Sequence, residues 1–256
     1  RLIVGGFDRV YEIGKCFRNE GVDRTHNPEF TMLELYQAYG DYQDMMAITE
    51  EIFEQTALKV NGSTMATFEG KEIDLKTPWK RIRVTDALRE HAGLDVLNMS
   101  DEELDAEVDR HGGMIKGGFN RGLAIDKLFE LLVEEHLVQP TFITHQPVET
   151  TPLCKPDKDD ERFLQRFELF IGGTEFANAY SESNDPEFQR KTLYEQSLRR
   201  DVDSEAPPMD ENFVQAIETG MPPTGGLGIG IDRLVMLLTG QSSIRDVLLF
   251  PTMRPE

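Results

Sequence analysis

The chain has 256 residues, 39% of them hydrophobic and 15 of them phenylalanine, which suffices for one large domain or two small ones around a sizeable core. No apolar run approaches the roughly 18 residues that a transmembrane helix requires, so none is expected. The formal charge of −20, from 47 acidic and 27 basic residues, repels a phosphate backbone and excludes a general nucleic-acid binder; such a partner would need a local basic patch or another domain.

In chain order, residues 8–18 and 29–39 read as two strands of a long hairpin, joined by a polar loop at 19–28. Met45, Met46, Ile48, Ile52 and Phe53 recur at helical spacing and predict a helix over 41–58. Residues 66–76 alternate around Gly70 and read as a short hairpin. Thr85 is a candidate cap for a helix running through His91, and Ser100 with Glu103 forms a capping-box pattern for a second helix ending near Arg110. The glycine-rich stretch 112–122 reads as a loop. An amphipathic helix is expected over 123–137, and a short strand over 141–144. Residues 167–182 read as a hairpin turning at Gly172–Gly173, and 186–220 as acidic and helical. Residues 225–240, GGLGIGIDRLVMLLTG, read as a glycine-rich strand feeding a helix that Gly240 ends. Hairpins interspersed with helices argue for an antiparallel α+β sheet domain. Two cysteines far apart, Cys16 and Cys154, fit a reducing cytoplasm and exclude a four-cysteine zinc site.

Chemistry concentrates in three segments. On the second strand of the first hairpin, Phe30, Met32, Glu34 and Tyr36 share one face, so rings alternate with a carboxylate that must meet a cation. That face suits something flat and something positive. Arg18, with Gly14 and Cys16 as small neighbours on its own face, has room to reach a carboxylate or phosphate; the plain alternative is a salt bridge to Glu12 or Glu20. His26 is by default a solvated loop histidine and Phe30 a core residue. In the glycine-rich strand, Gly225, Gly226, Gly228 and Gly230 invite a close approach such as that of adenine or ribose. G-x-G-x-x-G fails there, because Ile231 replaces the last glycine. Arg233 opens the following helix against the macrodipole, partly offset by Asp232; it either extends into solvent or meets a phosphate.

In the third segment a two-residue turn pairs Phe170 with Glu175 and Glu168 with Ala177. Glu168 and Glu175 then lie diagonally on one face, either solvated or bridged by a cation such as Mg²⁺. Asn178, Tyr180 and Glu182 make a second polar row, on the opposite face if the strand is regular. Only a β-bulge between Glu175 and Asn178 lets both rows serve one site.

FRNEG…HNPEFTMLE at 17–34 resembles motif 2 of the class II aminoacyl-tRNA synthetases, and GGLGIGIDRLVML at 225–237 resembles motif 3. The match is to the bacterial-type lysyl-tRNA synthetases. It extends through YGDYQD at 39–44, QPTFIT at 139–144, the 166–182 hairpin and IRDVLLFPTMRP at 244–255. The resemblance implies a six-stranded antiparallel sheet with flanking helices and ATP bent over it. It puts Arg18 on the α-phosphate and the lysine carboxylate, His26 near the β- and γ-phosphates, and Phe30 under adenine. Arg233 would lie on the other adenine face or at the γ-phosphate, with Gly230 beside the nucleotide. Glu168 and Glu175 would hold Mg²⁺. Glu34 would take the lysine α-ammonium, Tyr36 and Glu182 the ε-ammonium, and Asn178 would orient the carboxylate. Arg18 and Arg233 become the catalytic pair. The implied activity is that of a lysine–tRNA ligase: ATP-dependent activation of L-lysine and transfer to tRNA(Lys), by a cytoplasmic homodimer.

The resemblance also implies parts that this chain lacks, namely motif 1 and an anticodon-binding OB-fold domain. With Arg1 rather than Met at its start, the chain reads as an N-terminally truncated catalytic domain over 1–256, with a helical insertion around 85–137 and one acidic pocket residue missing upstream. Two alternatives are a paralogue that modifies a lysine of an elongation factor and a non-catalytic synthetase-like binding module. Retention of Arg18, Glu168, Glu175 and Arg233 argues against the latter.

Overall fold

Alternation along the first hairpin sorts its side chains between two faces and so sets the layering of the domain. In the computed structural model, which describes residues 1–19, 21–198 and 209–251, β1 (Arg9–Phe17) and β2 (Glu29–Ala38) pair antiparallel with Glu12 opposite Glu34. Glu20, residues 199–208 of the expected acidic helical stretch, and the end of the 244–255 motif lie outside the described residues.

Helix α1 (Tyr42–Asn61) follows, opened by a capping box between Asp41 and Asp44 and closed by Gly62 in the left-handed region at φ 71°. The expected small hairpin is β3 (Met65–Phe68) and β4 (Lys71–Asp74). Then come β5 (Lys80–Arg83), α2 (Val84–Ala92), α3 (Asp101–Arg110) and α4 (Arg121–Leu132). The remaining elements are β6 (Thr141–Thr144), β7 (Arg166–Ile171), β8 (Thr174–Ser181), α5 (Pro186–Ser197), α6 (Glu211–Glu218), β9 (Thr224–Gly230) and α7 (Ile231–Thr239).

The main sheet runs in the order β1-β2-β9-β8-β7-β6-β5. Its first six strands are mutually antiparallel, as the resemblance implies, and β5 adds a seventh, parallel to β6. The sequence did not mark β5, because Lys80-Arg81-Ile82-Arg83 offers one apolar residue among cations. That composition is typical of an edge strand protected against further pairing.

Each face of the sheet carries its own core. Leu33, Leu169, Ala177, Ala179, Leu227 and Ile229 point to one side, where Met45, Phe53, Leu234 and Leu237 of α1 and α7 cover them. On the other side, Ile143 and Phe170 pack against Leu88, Leu104 and Leu128 of α2, α3 and α4. These three helices roof only the β5–β7 end of their face and leave its middle open.

Three local expectations need correction. Thr85 does not cap α2: the helix starts one residue earlier, Arg83 holds the cap position without a side-chain bond, and Thr85 is buried inside the helix beside Val84. Gly122 belongs to α4 rather than to the loop, because Asn120 caps that helix by accepting from the Leu123 N–H at 3.0 Å. The helix expected over 123–137 stops at Leu132, and a separate 3₁₀ turn spans Glu134–His136. By contrast, Ser100 and Glu103 do form the expected capping box, and Gly240 closes α7 at φ 66°.

The β7–β8 hairpin holds the feature that positions the site. Phe170 lies opposite Glu175, but Leu169 lies opposite Ala177, so Phe176 has no partner on β7. This is a β-bulge between Glu175 and Asn178. Glu168 consequently faces Asn178, not the Ala177 of a regular hairpin. The bulge is held by burial: Phe176 is 2% exposed and packs edge-on against Phe68 and Phe53, at centroid distances of 5.7 and 6.2 Å. Phe176→Ala is therefore expected to destabilise the domain by about 3–5 kcal/mol in urea unfolding, with Phe176→Leu costing clearly less.

Candidate active site

With Phe176 and Ala177 both turned to the core, Glu175 and Asn178 emerge on the same open face. Two transverse rows then cross the sheet. One runs Glu34, Gly228, Asn178, Glu168; the next runs Tyr36, Gly226, Tyr180, Arg166. The glycines of β9 form the floor of a trough between side chains on β2 and β8. A β-carbon on Gly226 would collide with the Glu182 carboxylate and come within 2.8 Å of the Tyr36 ring, so only glycine fits there.

A cavity of about 370 Å³ occupies one end of the trough and is lined by Arg18, His26, Phe30, Glu168, Glu175, Asn178, Gly230 and Arg233. The Arg18 guanidinium lies over the Phe30 ring, 5.2 Å from its centroid, so Phe30 is a platform at the cavity and not a core residue. Arg233 does not extend into solvent. Its Nη1 donates to the Glu175 main-chain carbonyl and lies 3.8 Å from the Glu175 carboxylate, and its Nη2 meets His26 Nε2 at 3.3 Å. A guanidinium only donates, so His26 Nε2 accepts and the ring proton sits on Nδ1, which faces Asp23 Oδ2 at 2.8 Å. Asp23 accepts from the main-chain N–H groups of Thr25 and His26, and these bonds outweigh desolvation and hold its carboxyl down at about 2. The loop histidine is thus a fixed member of an Asp23–His26–Arg233–Glu175 chain. Asp232 is buried and accepts from the Thr31 N–H at 2.6 Å, which ties the start of α7 to β2.

Glu168 and Glu175 both face this cavity. Desolvation, followed by the charge of Glu168, pushes the Glu175 carboxyl above its ordinary range, while Arg233 and Arg166 pull it back. Among the described residues no group of three or more His, Cys, Asp or Glu side chains is arranged to hold a metal. A pair of hard oxygen donors that repel each other, beside guanidinium groups suited to phosphate, fits Mg²⁺ brought in with phosphate oxygens rather than a metal held by protein alone.

At the other end of the trough a second cavity of about 440 Å³ is lined by Glu34, Tyr36 and Glu182, by apolar side chains including Leu153, Phe213 and Ile217, and by residues 1–4. Burial, with Glu34 nearby, pushes Glu182 up to about 8. Burial, Glu182 and Glu34 likewise raise the Tyr36 phenol. Among the described residues no cation pairs with Glu182. An apolar sleeve ending in unpaired carboxylates is the complement of an amphipathic cation.

The structure therefore brings Arg18, His26, Phe30, Glu168, Glu175, Gly230 and Arg233 around one cavity, and Glu34, Tyr36 and Glu182 around another. Asn178, grouped by the sequence with the second set, stands on the wall of the first, across Gly228 from Glu34. Sequence reading missed Asp23 and, above all, Arg166, and gave Asp232 only a charge-offsetting role. Arg166 is buried and contacts Glu168, Asn178 and Thr150. Its two-residue spacing from Glu168 was the available signal.

A glycine-floored antiparallel sheet, with arginines from the first hairpin and from the helix after the glycine strand meeting over one cavity, is the architecture of class II aminoacyl-tRNA synthetases. Residues 1–254 match the family described as tRNA synthetases class II (D, K and N), and the chain belongs to that family. It is similar to proteins named lysine–tRNA ligase: 53% identical to that of Thermoanaerobacter pseudethanolicus over 100% of this chain, and 55% to that of Enterococcus faecalis over 99%. The protein of that name from Fervidobacterium nodosum is 52% identical over 100% of the chain. The chain spans about half the length of these curated relatives: 52%, 51% and 50% respectively. No helix among the described residues is long and apolar enough to cross a membrane.

The raised Glu182 carboxyl makes a signed prediction for stability. An unfolded glutamate titrates near about 4.3, and this one near about 8 when folded. Between those values the folded state holds the extra proton, so the contribution of Glu182 is full below the lower value and is lost as pH rises through the upper one. Glu182→Gln removes this loss. Its melting temperature relative to wild type should rise between pH 5 and pH 8.5, as read by calorimetry across that range.

Proposed function

We propose that residues 1–256 are the catalytic domain of a lysine–tRNA ligase, with a helical insertion around 85–137. The observation that carries the reading is Glu182: a carboxyl in a mostly apolar sleeve that makes no ion pair with a cation of the described residues, next to a second carboxylate, Glu34. The lysine ε-ammonium satisfies the first and its α-ammonium the second, while its methylene chain matches the apolar wall. A substrate without the ε-ammonium leaves Glu182 unpaired, which costs affinity. The names of the similar proteins support the same substrate.

The lysine carboxylate then lies toward Asn178 and Arg18, between the two cavities. It is already an anion, so no general base is required. One of its oxygens bonds to the α-phosphorus of ATP, the bond from that phosphorus to the α–β bridging oxygen breaks, and pyrophosphate leaves. Phe30 and Gly230 receive adenine and its ribose. Arg18 steadies the α-phosphate and Arg233, with His26, the far phosphates, so catalysis is positioning plus charge stabilisation. Mg²⁺ at Glu168 and Glu175 supplies further neutralisation of phosphate charge when bound. In the second step a terminal hydroxyl of tRNA(Lys) takes the acyl group and AMP leaves. For the whole protein the reading includes a homodimer and a cytoplasmic location.

The test is lysine-dependent ATP–pyrophosphate exchange on the full-length gene product. Glu182→Gln should lower kcat/KM for lysine by about 10- to 100-fold, the loss of a hydrogen-bonded charge pair. In the wild type kcat/KM for lysine should rise with pH until about 8, because Glu182 must shed its proton before it meets an ammonium that stays charged. The variant should lack that limb. Unchanged exchange in Glu182→Gln would remove Glu182 from the pocket, and no exchange with any amino acid would favour a non-catalytic module.

A further inference from the structure

Arg166 is the one buried arginine among the described residues, 7% exposed, and it lines the first cavity. All three arms of its fork are used. Nη2 donates to Glu168 Oε1, Nη1 to Thr150 Oγ1 at 2.9 Å, and Nε to Asn178 Oδ1 at 3.2 Å, with the Tyr180 ring beneath at 5.5 Å. Glu168 is correspondingly committed. Its Oε1 also faces Asn178 Nδ2 at 3.4 Å, and its Oε2 faces Gln146 Nε2 at 3.4 Å. Of the about four lone-pair sites of a carboxylate, three on Glu168 face donors, one of them a cation, which leaves it little net charge to offer a metal. Glu175, the other half of the pair, sits 3.8 Å from Arg233.

We propose that Arg166 is a positioning residue that prevents Glu168 and Glu175 from holding a divalent cation by themselves, so that the metal enters only with the nucleotide's phosphates. The inference rests on the ligase reading for the identity of that nucleotide. Arg166 cancels one of the two negative charges, and its fork holds Glu168 against Asn178. A Mg²⁺-sized ion that keeps most of its waters then finds too little charge to stay until phosphate oxygens add theirs. The same bonds fix the Asn178 amide, since its oxygen accepts from Arg166 and its nitrogen is turned toward Glu168. The discipline imposed on the metal is therefore built from the contacts that orient a residue between the two cavities.

The test is Mn²⁺ uptake by the full-length protein, followed by electron paramagnetic resonance, without lysine and without turnover. Wild type should bind free Mn²⁺ at least about tenfold more weakly than it binds Mn²⁺ in the presence of a non-hydrolysable ATP analogue. Arg166→Gln should gain at least about tenfold in affinity for free Mn²⁺, a gain that a merely structural residue would not give. Arg166→Lys keeps the charge and should stay near wild type. Wild-type uptake of free Mn²⁺ as tight as with the analogue overturns the proposal, and this arm decides the matter even if Arg166→Gln does not fold. No gain in a folded Arg166→Gln, or an equal gain in Arg166→Lys, also overturns it. Failure of the ligase reading shows separately, as absence of lysine-dependent exchange.

Discussion

Two adjacent residues of β8, Phe176 and Ala177, both point into the core, and the site depends on that violation of strand alternation. Without it, Glu175 would lie on the opposite face from Asn178, Tyr180 and Glu182. Carboxylates suited to a metal and the polar row beside them would then serve different surfaces. The bulge persists because a phenylalanine ring fills a pocket between Phe53 and Phe68 on the far side of the sheet. Core packing on one face thus sets the chemistry on the other.

The trough is electrostatically divided. Around the first cavity, acids and guanidinium groups alternate: Asp23–His26–Arg233–Glu175 on one wall and Arg166–Glu168 on the other. Such a network holds side chains in place around an open cavity of about 370 Å³. Around the second cavity, Glu34 and Glu182 meet mostly apolar walls, and among the described residues no ion pair to Glu182 is formed. The two ends therefore differ in how far the protein's own charges are balanced.

The helices α2, α3 and α4 matter as a partial roof. Phe170 and Ile143 give them a second core at the β5–β7 end of the sheet. Acids beneath that roof feel one another: burial and Glu168 raise Asp126 to about 6, and burial with Glu168 raises Glu134 to about 8. Arg166 carries the buried positive charge among them, under the influence of Glu168, Asp126 and Glu175.

Periodicity, turn residues and helix signals in the sequence determined the first hairpin, the small β3–β4 hairpin, the helix expected over 41–58 and found over Tyr42–Asn61, the α3 capping box and the strand–helix unit that ends at Gly240. These follow from neighbours a few residues apart, where local sterics and hydrogen bonding decide. Alternation likewise put Phe30, Glu34 and Tyr36 on one face, and it defined the condition for a single site, a bulge before Asn178. Whether that bulge exists was beyond the sequence, because it depends on Phe53 and Phe68 being in place to receive Phe176. The cationic edge strand β5, the transfer of Asn178 to the first cavity and the contacts of Arg166 were hidden for the same reason. Each is settled by partners far away in the chain, at Thr141–Thr144, Gly228, Thr150 and Gln146, and only the folded sheet brings those partners within reach.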